Sequence, residues 1–335
     1  LTAQTRTGRL RAPFLRAALA CAATALPASA EPPALGLPID CTFGETCYIQ
    51  QYVDRDPGPG QRDVGCNGLA NDGHKGTDFG IPTLADMAAG VPVIAAAPGV
   101  VRGVRDGMPD IDTTDPAAPN VSGRECGNGV AIDHGDGWET QYCHLRNGSL
   151  AVKQGQQVAR GEVLGLVGMS GEATFPHVHF SVREGNAVID PFNPDMTRDC
   201  GAAGDGLWLA APPYRDGGLL AAGILDRVPS YEEVKAGLPL QALPEGAPAA
   251  LVVWGYAYAG LEGDVVEIAL DAPGDAPPRS HSEALPRWQP FFYRAWGIRA
   301  PEGGFAPGAY RGEVVHRRGE TVLDRREIRF ELPAP

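Results

Sequence analysis

Gly129-Val130-Ala131-Ile132-Asp133-His134-Gly135-Asp136-Gly137-Trp138-Glu139-Thr140-Gln141-Tyr142-Cys143-His144-Leu145 reads as strand, turn and strand. The apolar run 129–133 is short and β-branched, and Gly-Asp-Gly suits a chain reversal because glycine takes positive φ without strain. Cys126 and Cys143 flank this hairpin, which places them for a disulfide. The pattern repeats on either side. Val91-Pro92-Val93-Ile94-Ala95, Gly99-Val100-Val101-Arg102-Gly103-Val104 and Val163-Leu164-Gly165-Leu166-Val167 are further short runs punctuated by glycine. Closely spaced strands with turn residues between them predict an all-β sandwich or barrel rather than an α/β fold. A polar, Pro-bearing segment, Asp106 to Cys126, interrupts the series, and loops of this length are uncommon unless functional or disordered. Its Asp110, Asp112 and Asp115 lack a calcium-loop pattern and read as solvated acids.

The pattern changes after residue 200. Residues 201–215 read as a linker carrying the apolar Leu207-Trp208-Leu209. From 216 to 335, Leu219–Arg227, Ala250–Ala259, Val265–Leu270, Phe291–Ala300, Gly308–His316 and Arg326–Leu332 read as strands, with Arg318-Gly319-Glu320 a hairpin turn. Six or seven strands in this length predict an immunoglobulin-like β-sandwich, without the inter-sheet disulfide because the segment has no cysteine. Trp254, Tyr256 and Tyr258 alternate with small residues, so one strand face carries aromatics. That face is either a core face or a targeting surface for a protein or wall partner.

Composition bounds the setting. The chain has 335 residues, enough for about two domains at ~150 residues each. Residues 1–30 read as an export signal: Arg6, Arg9, Arg11 and Arg16, then the short apolar run Ala17–Leu26, then Ala28-Ser29-Ala30 before Glu31. No apolar run reaches the ~20 residues of a membrane span. Taking the four arginines of 1–30 from the 28 basic residues leaves 24 against 41 acidic ones, a net charge of −17. That balance excludes a nucleic-acid partner, which needs a basic stripe. Six cysteines remain beyond the signal: Cys41, Cys47, Cys66, Cys126, Cys143 and Cys200. An even count in an exported chain predicts three disulfides. The other two pairs are expected as Cys47–Cys66, locally, and Cys41–Cys200, tying the ends of a domain over 39–200.

The chemistry lies in the histidines. Only seven occur, and four fall in His74-Lys75-Gly76-Thr77-Asp78, Tyr142-Cys143-His144-Leu145 and His177-Val178-His179. On a strand, i and i+2 point to one face, so His177 and His179 enter the same space while Val178 and Phe180 enter a core. His74 and Asp78 are four apart, and Gly73 and Gly76 let the loop converge on a metal. Two imidazoles and a carboxylate around zinc, with the fourth position open, is a hydrolytic arrangement. His281 and His316 read as ordinary surface residues.

In order, Gly73-His74-Lys75-Gly76-Thr77-Asp78-Phe79, Tyr142-Cys143-His144-Leu145, Gly155-Gln156-Gln157-Val158-Ala159-Arg160-Gly161 and Pro176-His177-Val178-His179-Phe180 resemble the lysostaphin/LytM-type M23 zinc metallopeptidases over about 70–195. The resemblance implies an M23-type β-sandwich or hybrid-barrel peptidase domain. It implies one zinc ion held by His74, Asp78 and His179, with His144 and His177 as the catalytic pair beside it. Their order, base against oxyanion stabiliser and proton donor, stays open. His134 matches a common histidine of the family strand and reads as structural or as a support behind the ligands, not as catalytic. The loop before His177 departs from the family's usual Ser-Thr-Gly and reads Glu172-Ala173-Thr174-Phe175, which bears on substrate preference.

The expected protein is a periplasmic or extracellular zinc endopeptidase that cuts peptide cross-links of bacterial peptidoglycan. The compartment favours a diaminopimelate-bearing stem over a glycine bridge. The rival is a non-catalytic wall-binding protein or regulator on the same fold. Relatives of that kind have lost ligands, whereas none is missing here.

Overall fold

The structure is a computed structural model that describes residues 1–3, 31–198, 200–201, 206–243, 248–274 and 277–334. The chain divides into two units, Leu1–Glu31 and Pro32–Pro335. The export signal expected over 1–30 falls on residues 4–30, outside the described residues. The described strands and helices all belong to the second unit.

The first half of that unit contains β1 (Tyr48–Gln51), β2 (Thr77–Gly80), α1 (Leu84–Ala89), β3 (Pro92–Ile94), β4 (Gly99–Arg105), β5 (Asn128–Gly135), β6 (Trp138–Leu145), β7 (Gln157–Val158), β8 (Val163–Leu166), β9 (His177–Glu184) and β10 (Ala187–Ile189). One sheet runs β1-β2-β9-β6-β5-β4-β7, with β10 on β9, and β3 and β8 form a separate pair. The hairpin read from the sequence is β5–β6. Gly135, Asp136 and Gly137 make its turn with φ of 87°, 51° and 88°. In β9 the strand alternation holds: Val178, Phe180 and Val182 are fully buried in the core. That leaves His177, His179 and Ser181 for the other face. β2 lies antiparallel beside β9 with Asp78 opposite His179 and Gly80 opposite His177. Asp78 and His179 therefore sit side by side on one face.

The second half contains β11 (Gly218–Leu225), α2 (Tyr231–Ala236), β12 (Gln241–Ala242), β13 (Ala250–Gly260), β14 (Val265–Asp271), β15 (Arg279–Ala284), β16 (Gln289–Arg299), β17 (Gly308–Arg318) and β18 (Thr321–Leu332). Two four-stranded sheets, β12-β11-β13-β16 and β15-β14-β17-β18, enclose a core of Leu251, Val253, Ile268, Val314 and Ile328 among others. This is the two-sheet partition that the immunoglobulin-like architecture uses. Strand makes up 43% of the structure and helix 4%, which bears out the all-β reading. The β15 strand was not read from the sequence. All six of its side chains are exposed, so no apolar alternation marks it.

Three expectations are corrected. First, Cys126–Cys143 is bonded as read, but the other pairs are Cys41–Cys47 and Cys66–Cys200, not Cys47–Cys66 and Cys41–Cys200. A tight turn, with Glu45 and Thr46 amides donating to the Thr42 carbonyl, brings Cys41 within 5.9 Å (Cα to Cα) of Cys47 at the head of β1. Cys66 is left for Cys200, where the Gly201 amide donates to Val64.

Second, Leu207 and Trp208 are not loose linker. Both are buried, Leu35 and Leu207 to Leu209 pair through backbone bonds, and the Trp208 ring packs on Phe79, Phe180 and Phe192. Third, the aromatic face of β13 is neither sandwich core nor exposed targeting surface. Leu251, Val253 and Ala257 face the sandwich core. Tyr256 and Tyr258 point the other way and are 4% and 2% exposed: Tyr256 packs beside Tyr231 and Phe291, and Tyr258 meets the first half of the unit. The Tyr258 ring lies 4.6 Å from that of Tyr48 on β1.

Candidate metal centre

His74, Asp78 and His179 offer ligand atoms that all lie within 4.8 Å of one another. His74 Nε2 is 3.2 Å from Asp78 Oδ2 and 3.1 Å from His179 Nδ1, and His179 Nδ1 is 2.8 Å from Asp78 Oδ1. The far nitrogens of both rings are held. His74 Nδ1 donates to the Tyr52 carbonyl at 2.7 Å, and His179 Nε2 meets the Ser181 hydroxyl at 3.0 Å. A neutral His74 donating through Nδ1 carries a bare lone pair on Nε2. That lone pair faces a carboxylate oxygen, which also only accepts. A buried carboxylate and two imidazole nitrogens converging within 4.8 Å suit a cation between them, so the donor set fits a metal ion. Burial pushes the Asp78 carboxyl up, but His74, His177 and His179 around it outweigh burial and hold it well below the usual range. Burial likewise pulls His74 down, and Asp78 more than reverses it, leaving His74 raised.

His144 and His177 stand beside this group. Their rings are 4.6 Å apart, and His177 Nε2 lies 3.7 Å from Asp78 Oδ1. His144 Nδ1 donates to the Ser170 carbonyl at 2.7 Å and His177 Nδ1 to the Phe175 carbonyl at 2.9 Å. Both therefore present Nε2 as a free lone pair when neutral. Burial, helped by His177 and His179, holds His144 well below the ordinary histidine range. Burial also lowers His177, though Asp78 opposes it. All five residues singled out in the sequence thus come together. They open onto one groove of about 860 Å³.

His134 does not join them. Its Nδ1 donates to the Pro98 carbonyl and its Nε2 meets the Thr140 hydroxyl, which continues to the Tyr142 hydroxyl and the Ala96 amide. It links β5 to β6. The acids of 106–126 do not converge on a cation either. Asp110 accepts the Asn147 and Met169 amides, Asp112 that of Thr114, and Asp115 that of Ala117. His316 is not a surface residue: it is fully buried, with Nε2 3.1 Å from Asp264.

Residues 72–191 match the description Peptidase family M23. This segment belongs to peptidase family M23. The chain is 37% identical over 109 residues to "Peptidoglycan DD-endopeptidase ShyA" of Vibrio cholerae, covering 32% of this chain and 20% of that protein. It is 34% identical over 132 residues to "DD-carboxypeptidase/endopeptidase Mpg" of Neisseria meningitidis, covering 37% of this chain and 24% of that one. The matched stretch thus spans about a fifth to a quarter of those relatives' length. A solved relative is the catalytic domain of the M23 protein EnpA of Enterococcus faecalis, 25% identical, covering 48% of this chain and 94% of that one, with a TM-score of 0.31.

Sequence reasoning did not single out Tyr52 or Ser170. They act through backbone carbonyls, which leave no side-chain signal. Ser181 was readable, since it is the next same-face residue after His177 and His179 on β9. Phe175 was noted only as a departure from the family loop. In the structure its ring stacks on that of His177 at 4.2 Å and 16°.

Proposed function

We propose that the protein is an exported, zinc-dependent endopeptidase that hydrolyses peptide cross-links of bacterial peptidoglycan. The single observation that carries this reading is the pairing of two kinds of histidine in one groove. His74 and His179 turn ring nitrogens onto Asp78, and His144 and His177 stand beside it with Nδ1 pinned by a carbonyl and Nε2 toward the groove. Relatives named as peptidoglycan DD-endopeptidases support the substrate class and, with it, a periplasmic or extracellular setting.

In this reading His74, Asp78 and His179 hold the zinc. Bound there, zinc supplies a Lewis acid for the substrate carbonyl and an activated water. His144 and His177 handle protons. Each has its Nδ1–H pinned by a carbonyl, so each ring faces the groove with Nε2 as the acceptor atom. Burial favours the neutral form of both, which is the form a base requires. The one that takes the proton becomes an imidazolium and can return it to the leaving amine. Asp78, 3.7 Å from His177, favours the charged form on that ring. The Tyr52 carbonyl and Ser181 hydroxyl fix the ligand rings so that they need not reorganise on binding.

The test separates holders from handlers. His179→Ala should remove zinc and activity together. His144→Ala should keep near-stoichiometric zinc and lose about 10²–10⁴-fold in turnover, the usual worth of a positioned acid or base. Zinc analysis beside cleavage of cross-linked muropeptides checks both. A His144→Ala protein with normal rates would refute the assignment.

A further inference from the structure

We propose that the C-terminal sandwich builds one wall of the substrate groove, and that Trp288 on it is a specificity-determining contact for the carbon skeleton of the peptide stem. The proposal rests on the peptidase reading of the same site and adds a subsite to it.

The groove that holds the five site residues is also lined by Trp288, Pro290 and Phe291. These three sit on the turn between β15 and β16 and the start of β16, more than a hundred residues beyond His179 in sequence. The turn is anchored at its base. The Phe291 ring lies 5.0 Å from Phe175 and 6.5 Å from Tyr48, and Phe175 in turn stacks on His177. Two short ring-to-ring steps therefore connect the sandwich to a residue of the reacting centre. The 106–126 segment is tied to the same sandwich by Lys235, whose Nζ is 3.7 Å from Asp112. Thr113 and Glu125 of that segment line the groove as well.

Trp288 stands apart among the five tryptophans. Trp138, Trp208 and Trp254 are buried, and Trp296 stacks on His281, whereas Trp288 is 47% exposed. An indole left in water beside a groove has apolar area to bury when a ligand arrives. The remaining wall is charged at Asp72, Lys75, Glu125, Glu172 and Arg183. Such a wall suits the ammonium and carboxylate groups of a stem peptide. Trp288 then takes the methyl and methylene groups between them. Its place in the groove that holds His177, three residues before Phe291, favours the peptide beside the cut bond over the glycan strand farther out.

Trp288→Ala and Trp288→Phe in the zinc-loaded full chain test this. The substrates are a cross-linked stem dimer without sugars and the same dimer carrying its disaccharides, each followed by steady-state cleavage and by calorimetric binding. Trp288→Ala should raise KM and weaken binding of the sugar-free dimer by about 3- to 10-fold, the worth of one aromatic contact. It should leave kcat within about twofold and the unfolding midpoint unchanged, and Trp288→Phe should recover most of the loss. Unchanged binding, a fall in kcat at constant KM, or an effect confined to the sugar-bearing dimer would overturn the proposal. A wild-type protein that binds the sugar-free dimer with this Trp288 dependence but cleaves nothing would overturn the peptidase reading and leave this one standing. A wild-type protein that does not bind it would overturn the groove wall.

Discussion

His144 adopts φ of 62°, a left-handed conformation that costs a side-chain-bearing residue of order 1 kcal/mol or more. It is held there by its own amide, which donates to the Cys126 carbonyl at 2.8 Å, and by the disulfide one residue earlier. Strain of this kind persists where the surroundings over-determine it, and here it turns an imidazole toward His177 and His179. Gly76 makes the opposite demand. A Cβ on it would lie 2.6 Å from His179 Nε2 and 2.8 Å from the Phe180 carbonyl. The backbone contact cannot yield cheaply, so Gly76→Ala must displace His179 or part β2 from β9. Zinc affinity should fall by about 10–100-fold, the usual cost of disturbing a ligand's orientation, while the fold persists. Competition with a chromophoric chelator measures it, and wild-type affinity would contradict the account. In the sequence Gly76 is visible only as loop freedom. That it is required by close approach becomes visible once β2 and β9 are paired.

At the scale of elements, the β5–β6 hairpin carries both the fold and the chemistry. Its apolar alternation and its Gly-Asp-Gly turn are local signals, which is why it was legible. The Cys126–Cys143 bond was legible for the same reason, since both partners belong to one hairpin. The other two bonds depend on a turn at 42–46 and on the return of the chain at 200, neither of which has local periodicity. Helix α2 was missed although Ser230 and Glu233 form a capping box that the sequence displays. Its six residues are too few to show a helical apolar stripe. Removing the hairpin bond with Cys126→Ser and Cys143→Ser opens a loop of 17 residues, which predicts a loss of about 3 kcal/mol of stability. Because His144 follows Cys143 directly, turnover should fall as well, with zinc content retained. Denaturant unfolding and kcat under conditions where the variant is folded check the two parts. Unchanged kcat would mean that the amide–carbonyl bond alone holds His144.

At the scale of the whole molecule, the five site residues were readable because each sits in a short motif. The relation between the two halves was not. The alternation of Trp254, Tyr256 and Tyr258 announces an aromatic face, core or targeting surface, but does not say what covers it. The structure sets Tyr258 against Tyr48 and carries Phe291 to Phe175, so the sandwich reaches the groove rather than hanging from a linker. Within the stretch read as linker, Trp208 packs against Phe79 of β2 and Phe180 of β9, meeting Phe79 across more than a hundred residues of chain. The central claim concerns what this assembled groove does to a cross-linked wall. Its most direct measurement is the mass spectrum of muropeptides released from purified sacculi by the zinc-loaded chain, with and without a chelator. The account predicts that cross-linked dimers disappear in favour of monomers, each broken bond gaining one water, and that the chelator stops this. Dimers left intact by a protein carrying stoichiometric zinc would contradict it.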